Sequence, residues 1–141
     1  VKMRRLAPAL AEAGVTASRI GLAAAHLANA RELMVELTAG LLDRASRPLA
    51  DGVLLDGGAL GDAPRELGLR ALAALLQIVS GAPYRPRFGS LERLFERILT
   101  GTLGRGATLS GCRIGPAPAG ERPFGPQTLK ITPEKPRKAS V

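Results

Sequence analysis

The sequence predicts a mainly α fold: a small helical bundle with a long linker helix, one or two short strands and a disordered C-terminal tail. Three observations carry this expectation. Alanine and leucine dominate while aromatic residues make up only 3% of the chain, a composition that favours helix over sheet. Apolar residues recur at helical spacing through three long stretches. From residue 115 onward the chain holds six prolines and many charges without hydrophobic periodicity, which predicts disorder. A length of 141 residues suffices for one core with appendages. The expected division is linker helices over 1–47, a small helical domain with short strands over 48–114, and the tail over 115–141.

Residues 2–13 predict a short helix with Leu6 and Leu10 on one face and Gly14 as its stop. Pro8 places its start near Ala7, so Arg4 and Arg5 fall just before the first turn. The opening lacks an initiator region, as expected of a chain that starts inside a longer protein. From Thr16, an N-cap residue type, a helix is predicted to about Ala45, ahead of Arg47-Pro48. Ile20, Leu27, Met34 and Leu41 recur every seven residues along it, with Ala23, Ala30 and Leu37 between. Such a stripe serves either a helix packed on its own chain or a dimeric coiled coil.

Residues 48–63 are rich in glycine, carry a net charge of −3 over 48–62, and surround the short run Val53-Leu54-Leu55. One extended segment is expected there, with turns at Asp51-Gly52 and Asp56-Gly57-Gly58. Asp62 would then lie near a helix cap and Pro64 in the first turn. Over 64–79, leucines and alanines face nearly every direction around a helix, and only Glu66, Arg70 and Gln77 form a polar stripe. A helix of this kind is buried on most sides. Ser90 is expected to cap a further helix with Leu91, Leu94, Phe95, Ile98 and Leu99 inward and Glu92, Arg93, Glu96 and Arg97 outward. Residues 107–114 read as one strand or hairpin arm, whose only visible partner is 53–55.

Between the two helices the prolines of Pro83-Tyr84-Arg85-Pro86-Arg87-Phe88 hold the loop extended. An ordered loop presenting two arginines and an aromatic suits gripping phosphate and stacking a base. Alternatively, Tyr84 and Phe88 plug the edge of the core while both arginines are merely solvated. Arg65, at the start of the preceding helix, would lie roughly 24 Å from this loop.

Several classes of function lack support. No apolar run approaches the roughly 20 residues of a membrane span, and no signal-peptide block is present, so a cytoplasmic location is expected. Cys112 stands alone and is expected to be a buried, inert thiol. His26 has no second histidine or cysteine at ligand spacing, so a structural or surface role is expected and no metal site. No glycine fingerprint or lysine-bearing phosphate loop follows a strand, and no nucleophile with a base forms a catalytic set. The net charge of +8 suits a polyanionic partner.

The order of motifs resembles the C-terminal part of bacterial tRNA(Ile)-lysidine synthetases. The residues that carry the likeness are Val1 to Leu10, followed by the alanine-rich helix, then Pro64-Arg65-Glu66-Leu67 with Leu69-Arg70-Ala71-Leu72. Pro83 to Arg87 and Thr108 to Ile114 complete it. Members of that family use ATP, bound by an N-terminal domain with an SGGxDS loop, to join lysine to the wobble cytidine of an isoleucine tRNA. This chain lacks that loop, so the resemblance implies the linker and helical tRNA-contacting region, with no cofactor of its own and no chemistry alone. It implies tRNA contacts at Arg4, Arg5, Arg65, Arg85 and Arg87. After Ile114 the sequence departs from the family pattern, which continues into another strand. The competing expectation is a non-catalytic helical module that forms a homodimer through Ile20, Leu27, Met34 and Leu41.

Overall fold

The computed structural model describes residues 17–134. The short helix expected over 2–13, with Arg4 and Arg5, and the Thr16 cap lie outside the described residues. The chain divides into two compact units, Val1–Glu36 and Leu37–Val141, where a boundary near residue 47 was expected. Helix α1 covers Ala17–Ala45. In the first unit its Ile20, Leu22, Leu27, Leu33 and Val35 are exposed, as is His26. In the second unit Leu41 and Ala45 are buried, so the fourth residue of the heptad series belongs to that unit's core.

The second unit follows α1 with strands β1 (Ser46–Pro48) and β2 (Val53–Asp56), then helices α2 (Gly57–Asp62), α3 (Arg65–Ser80) and α4 (Phe88–Thr100). Strands β3 (Ala107–Leu109), β4 (Cys112–Pro116) and β5 (Thr128–Pro133) complete it. Helix predominates, as expected, yet five strands replace the one or two anticipated. They form a single antiparallel sheet in the order β1-β2-β5-β4-β3. Val53–Asp56 therefore pairs with β1 and β5, and the expected partner of 53–55, residues 107–114, forms β3 and most of β4, of which β4 sits one strand further away and β3 two.

The largest departure concerns the tail. The stretch from residue 115 is not disordered throughout: Gly115 and Pro116 finish β4, and β5 lies at the centre of the sheet with Ile131 fully buried. The proline-rich crossing between them is pinned by specific bonds. The Ala117 N–H donates to Thr128 O, and the buried Thr128 hydroxyl donates to Gly125 O at 2.8 Å and accepts from the Phe124 N–H at 3.1 Å. Lys130 pairs with Glu121 at 2.9 Å, which together with their hydrogen bond raises the lysine pKa, and the Arg47 guanidinium lies 5.1 Å from the centre of the Phe124 ring.

Helix α3 packs on β4 and β5, with α2 and α4 against it. Its leucines, Ala71 and Ala73 are buried as their spacing requires, Ala74 is half-buried, and Ile78 emerges to solvent. Cys112 is fully buried and its thiol donates to Leu76 O at 3.2 Å, tying β4 to α3; burial pushes the thiol pKa up. At Gly68 any Cβ would lie 2.9 Å from the Phe95 ring and from Leu60 O, so glycine permits the close approach of α2, α3 and α4. The expected turn at Asp56-Gly57-Gly58 is instead the start of α2. Asp56 Oδ1 accepts from the Gly58 and Ala59 N–H groups at 3.0 and 3.2 Å, a side-chain cap that offsets the poor helix propensity of glycine. Pro64, rather than Asp62, occupies the cap position of α3.

Candidate nucleic-acid interface

The loop between α3 and α4 is built by a helix stop and a helix start. Gly81 takes the left-handed conformation at φ 69° and its N–H donates to Gln77 O at 2.8 Å, which ends α3. The Ala82 N–H donates to the Ser80 hydroxyl, and the Gln77 side chain donates to Ala82 O. Two prolines then carry the chain to Arg87, which takes the cap position of α4 in place of the expected Ser90. Ser90 lies inside the first turn and accepts a hydrogen bond from Arg93.

The side chains of this loop answer one part of the alternative left open by the sequence, the place of the two rings. Tyr84 is 81% exposed and Phe88 62% exposed, so neither plugs the core; Pro86 is the residue that turns inward. Arg85 and Arg87 are exposed, and among the described residues neither has a carboxylate within ion-pair distance. A cleft of about 200 Å³ beside the loop is lined by apolar Leu69, Pro86 and Phe88 and by charged Glu66, Arg70 and Arg85. Within it Arg70 pairs with Glu66 at 3.1 Å, the expected i,i+4 contact.

Arg65 is placed differently. Its guanidinium contacts Glu96 at 2.5 Å and Glu92 at 3.4 Å, and lies 5.4 Å from the centre of the Phe95 ring. Its pKa is raised, first by the hydrogen bond to Glu96. The donors that would hold a phosphate are therefore committed to tying α3 to α4. Arg65 is not among the residues that line the cleft, but the loop folds back onto the first turns of α3, beside Glu66 and Arg70, and does not lie a helix length away as expected; Arg4 and Arg5 lie outside the described residues.

The same ion pairs expose two residues that the sequence reading passed over. The outward face of α4 looked evenly mixed in charge, but Glu92 and Glu96 turn to Arg65 while Arg93 and Arg97 line a different groove, beside β3. The signal was present in the spacing: the two glutamates are four apart, and so are the two arginines, each pair on its own helical stripe.

Among the described residues no three His, Cys, Asp or Glu side chains are grouped to hold a metal ion, and no helix is long and apolar enough to cross a membrane. The fold and the site define a class: a small helix-on-sheet module whose exposed rim is cationic and aromatic. Comparison with known proteins names the family. A tRNA(Ile)-lysidine synthase of Methylobacterium nodulans is 33% identical over 143 residues, covering 98% of this chain and 40% of the relative. Those of Hyphomonas neptunium and Wolbachia pipientis wMel are 53% and 39% identical over 51 residues, covering 36% of this chain and 14% and 12% of the relatives. No protein-family model matches the chain, and no solved structure does. The chain belongs to the tRNA(Ile)-lysidine synthase family, and it matches the C-terminal part of those enzymes, spanning about two fifths or less of their length.

Proposed function

We propose that this chain is the tRNA-contacting part of a tRNA(Ile)-lysidine synthase, which joins lysine to the wobble cytidine of an isoleucine tRNA at the expense of ATP. In this proposal ATP, lysine and the bond-forming step belong to the part of the enzyme outside this sequence, and the chain works on cytoplasmic tRNA. The observation that carries it is the pair Arg85 and Arg87, exposed without carboxylate partners among the described residues and flanked by exposed Tyr84 and Phe88. Guanidinium groups hold phosphates, and ring faces stack unpaired bases. Arg4 and Arg5 belong to the proposed contact set; Arg65 is assigned the task of bracing α3 against α4.

Titration of tRNA(Ile) with the 141-residue chain tests this. The double variant Arg85→Ala, Arg87→Ala is expected to bind at least about tenfold more weakly at low salt and to show a shallower salt dependence, since each phosphate contact adds about 0.7–0.9 to the slope. Affinity indifferent to salt and to both substitutions would sink the proposal.

The exposed apolar stripe of α1 favours a second reading, a homodimer. Ile20 and Leu27 stand exposed seven residues apart, the spacing of a coiled-coil seam. Sedimentation over a range of concentrations decides it: a dimer that Leu27→Asp abolishes supports the second reading, and a monomer at every concentration removes it.

A further inference from the structure

We infer that the groove between α4 and β3 is a second phosphate-binding site, one that holds an RNA phosphodiester on Arg93, Arg97 and the edge of β3. The inference rests on the tRNA-binding reading above and extends it to a surface that the 84–88 loop does not include.

The groove has a volume of about 230 Å³, and its polar lining consists of Ser90, Arg93, Arg97 and Thr108, with no carboxylate among its lining residues. Arg93 and Arg97 are exposed and sit four residues apart on α4, which places them about 5–6 Å from each other at Cβ. Both are preoriented by weak donors to neutral acceptors. One Arg97 Nη donates to Leu103 O at 3.2 Å, and one Arg93 Nη reaches the Ser90 hydroxyl at 3.4 Å. Each guanidinium carries five N–H donors, so most remain for a ligand. The glutamates that share their helix, Glu92 and Glu96, are held on Arg65.

The backbone adds a further donor. β3 is an edge strand, joined to β4 by the two-residue turn Ser110-Gly111, with φ values of 52° and 78°. A turn of this kind closes on a hydrogen-bonded pair, here Leu109 with Cys112. Pairs alternate along an antiparallel ladder, so Thr108, opposite Arg113, is in a non-hydrogen-bonded pair and directs its N–H and C=O away from the sheet. That edge borders the groove that Arg93 and Arg97 line. Two guanidinium groups, a backbone N–H and the Ser90 hydroxyl, with no carboxylate lining the groove, select an anion with several acceptor oxygens, which is the chemistry of a phosphate; the Thr108 side chain shares the opposite face of the sheet with Arg113. Along α4 Arg93 and Arg97 lie about 9 and 15 Å beyond Arg87, at a rise of about 1.5 Å per residue. One RNA strand can therefore engage the loop and the groove in succession.

The test compares three forms of the chain in titrations with tRNA(Ile) between about 50 and 200 mM KCl: wild type, Arg85→Ala with Arg87→Ala, and Arg93→Gln with Arg97→Gln. Thermal unfolding by circular dichroism confirms that each is folded, and single Arg93→Gln keeps the Arg97 to Leu103 bond should the double variant unfold. The glutamine pair is expected to lower the salt slope by about 0.7–0.9 per arginine and the affinity by roughly tenfold. The Thr108 amide resonance is expected to move on adding tRNA and to respond far less to inorganic phosphate. A wild-type slope in the Arg93 and Arg97 variants, with weakened binding in the loop variant, overturns the groove and leaves the loop standing. If wild type binds no tRNA, both readings fall together. A Thr108 shift as large with inorganic phosphate as with tRNA makes this a free-phosphate site and overturns the RNA assignment.

Discussion

Arginines at the start of α3 and in the loop that follows it are put to opposite use. At the N-terminal end Arg65 meets Glu92, Glu96 and the Phe95 ring and becomes part of the framework. Past its C-terminal end the chain folds back, so that Arg85 shares a cleft with Glu66 and Arg70, yet Arg85 and Arg87 meet no carboxylate within ion-pair distance among the described residues. The residue type is the same; what differs is whether an acid on a neighbouring element lies within reach. A cation whose donors are already satisfied adds little to a ligand, and one that is solvated and unpaired is available at small cost.

The contrast is most sharply broken through Phe95, which is fully buried and backs the Arg65 brace. Phe95→Ala is expected to cost about 3–5 kcal/mol of stability, read as a large fall in the urea midpoint. Next in size, Gly68→Ala forces a methyl against Phe95 and Leu60 O and is expected to cost about 1–3 kcal/mol by the same measurement. In the 84–88 loop, Tyr84→Ala is expected to leave the midpoint unchanged and to weaken tRNA binding by about 1–3 kcal/mol, the range for one stacked base. Arg65→Gln is expected to do the reverse on a smaller scale, lowering the midpoint slightly with tRNA affinity intact. If Arg65→Gln weakens tRNA binding as much as the loop variants do, the division between Arg65 and the loop arginines is wrong.

The smallest effect belongs to Cys112. Its folded-state pKa is raised by burial, so the unfolded thiol, near 8.5, ionises first. The stability linked to this group is fully present below that value and is lost as pH rises through the folded pKa. The urea midpoint of wild type is therefore expected to fall more between pH 8 and 10 than that of Cys112→Ala, and the native thiol is expected to resist alkylation at pH 7.

The helices were legible because their signal is local. Leu67, Leu72, Leu76, Leu91, Leu94 and Phe95 announce their burial by spacing alone, and the prolines around Tyr84 announced an ordered loop. The sheet was not legible, because each strand is short and its reason to exist lies elsewhere in the chain. Nothing local in Thr128–Pro133 marks a central strand; its burial depends on β2 on one side and β4 on the other. The same holds for the site. Arg85 and Arg87 were flagged by the loop that carries them. The roles of Arg65, Arg93 and Arg97 depended on a long-range event, the turning of two glutamates toward α3.

The position of β5 has a bearing on how the protein is made. As the chain leaves the ribosome, α3 and α4 emerge with their mutual contacts close in sequence, and a helical pair of this kind orders quickly. β2 and β4, by contrast, have no shared partner until residues 128–133 are synthesised and slide between them. Until then each presents an open edge able to pair with another chain. The nascent sheet thus passes through a half-finished stage, and the strand that closes it is the last of its five to be made. A message that ended before residue 128 would yield two unjoined half-sheets, prone to aggregate, rather than a shortened protein.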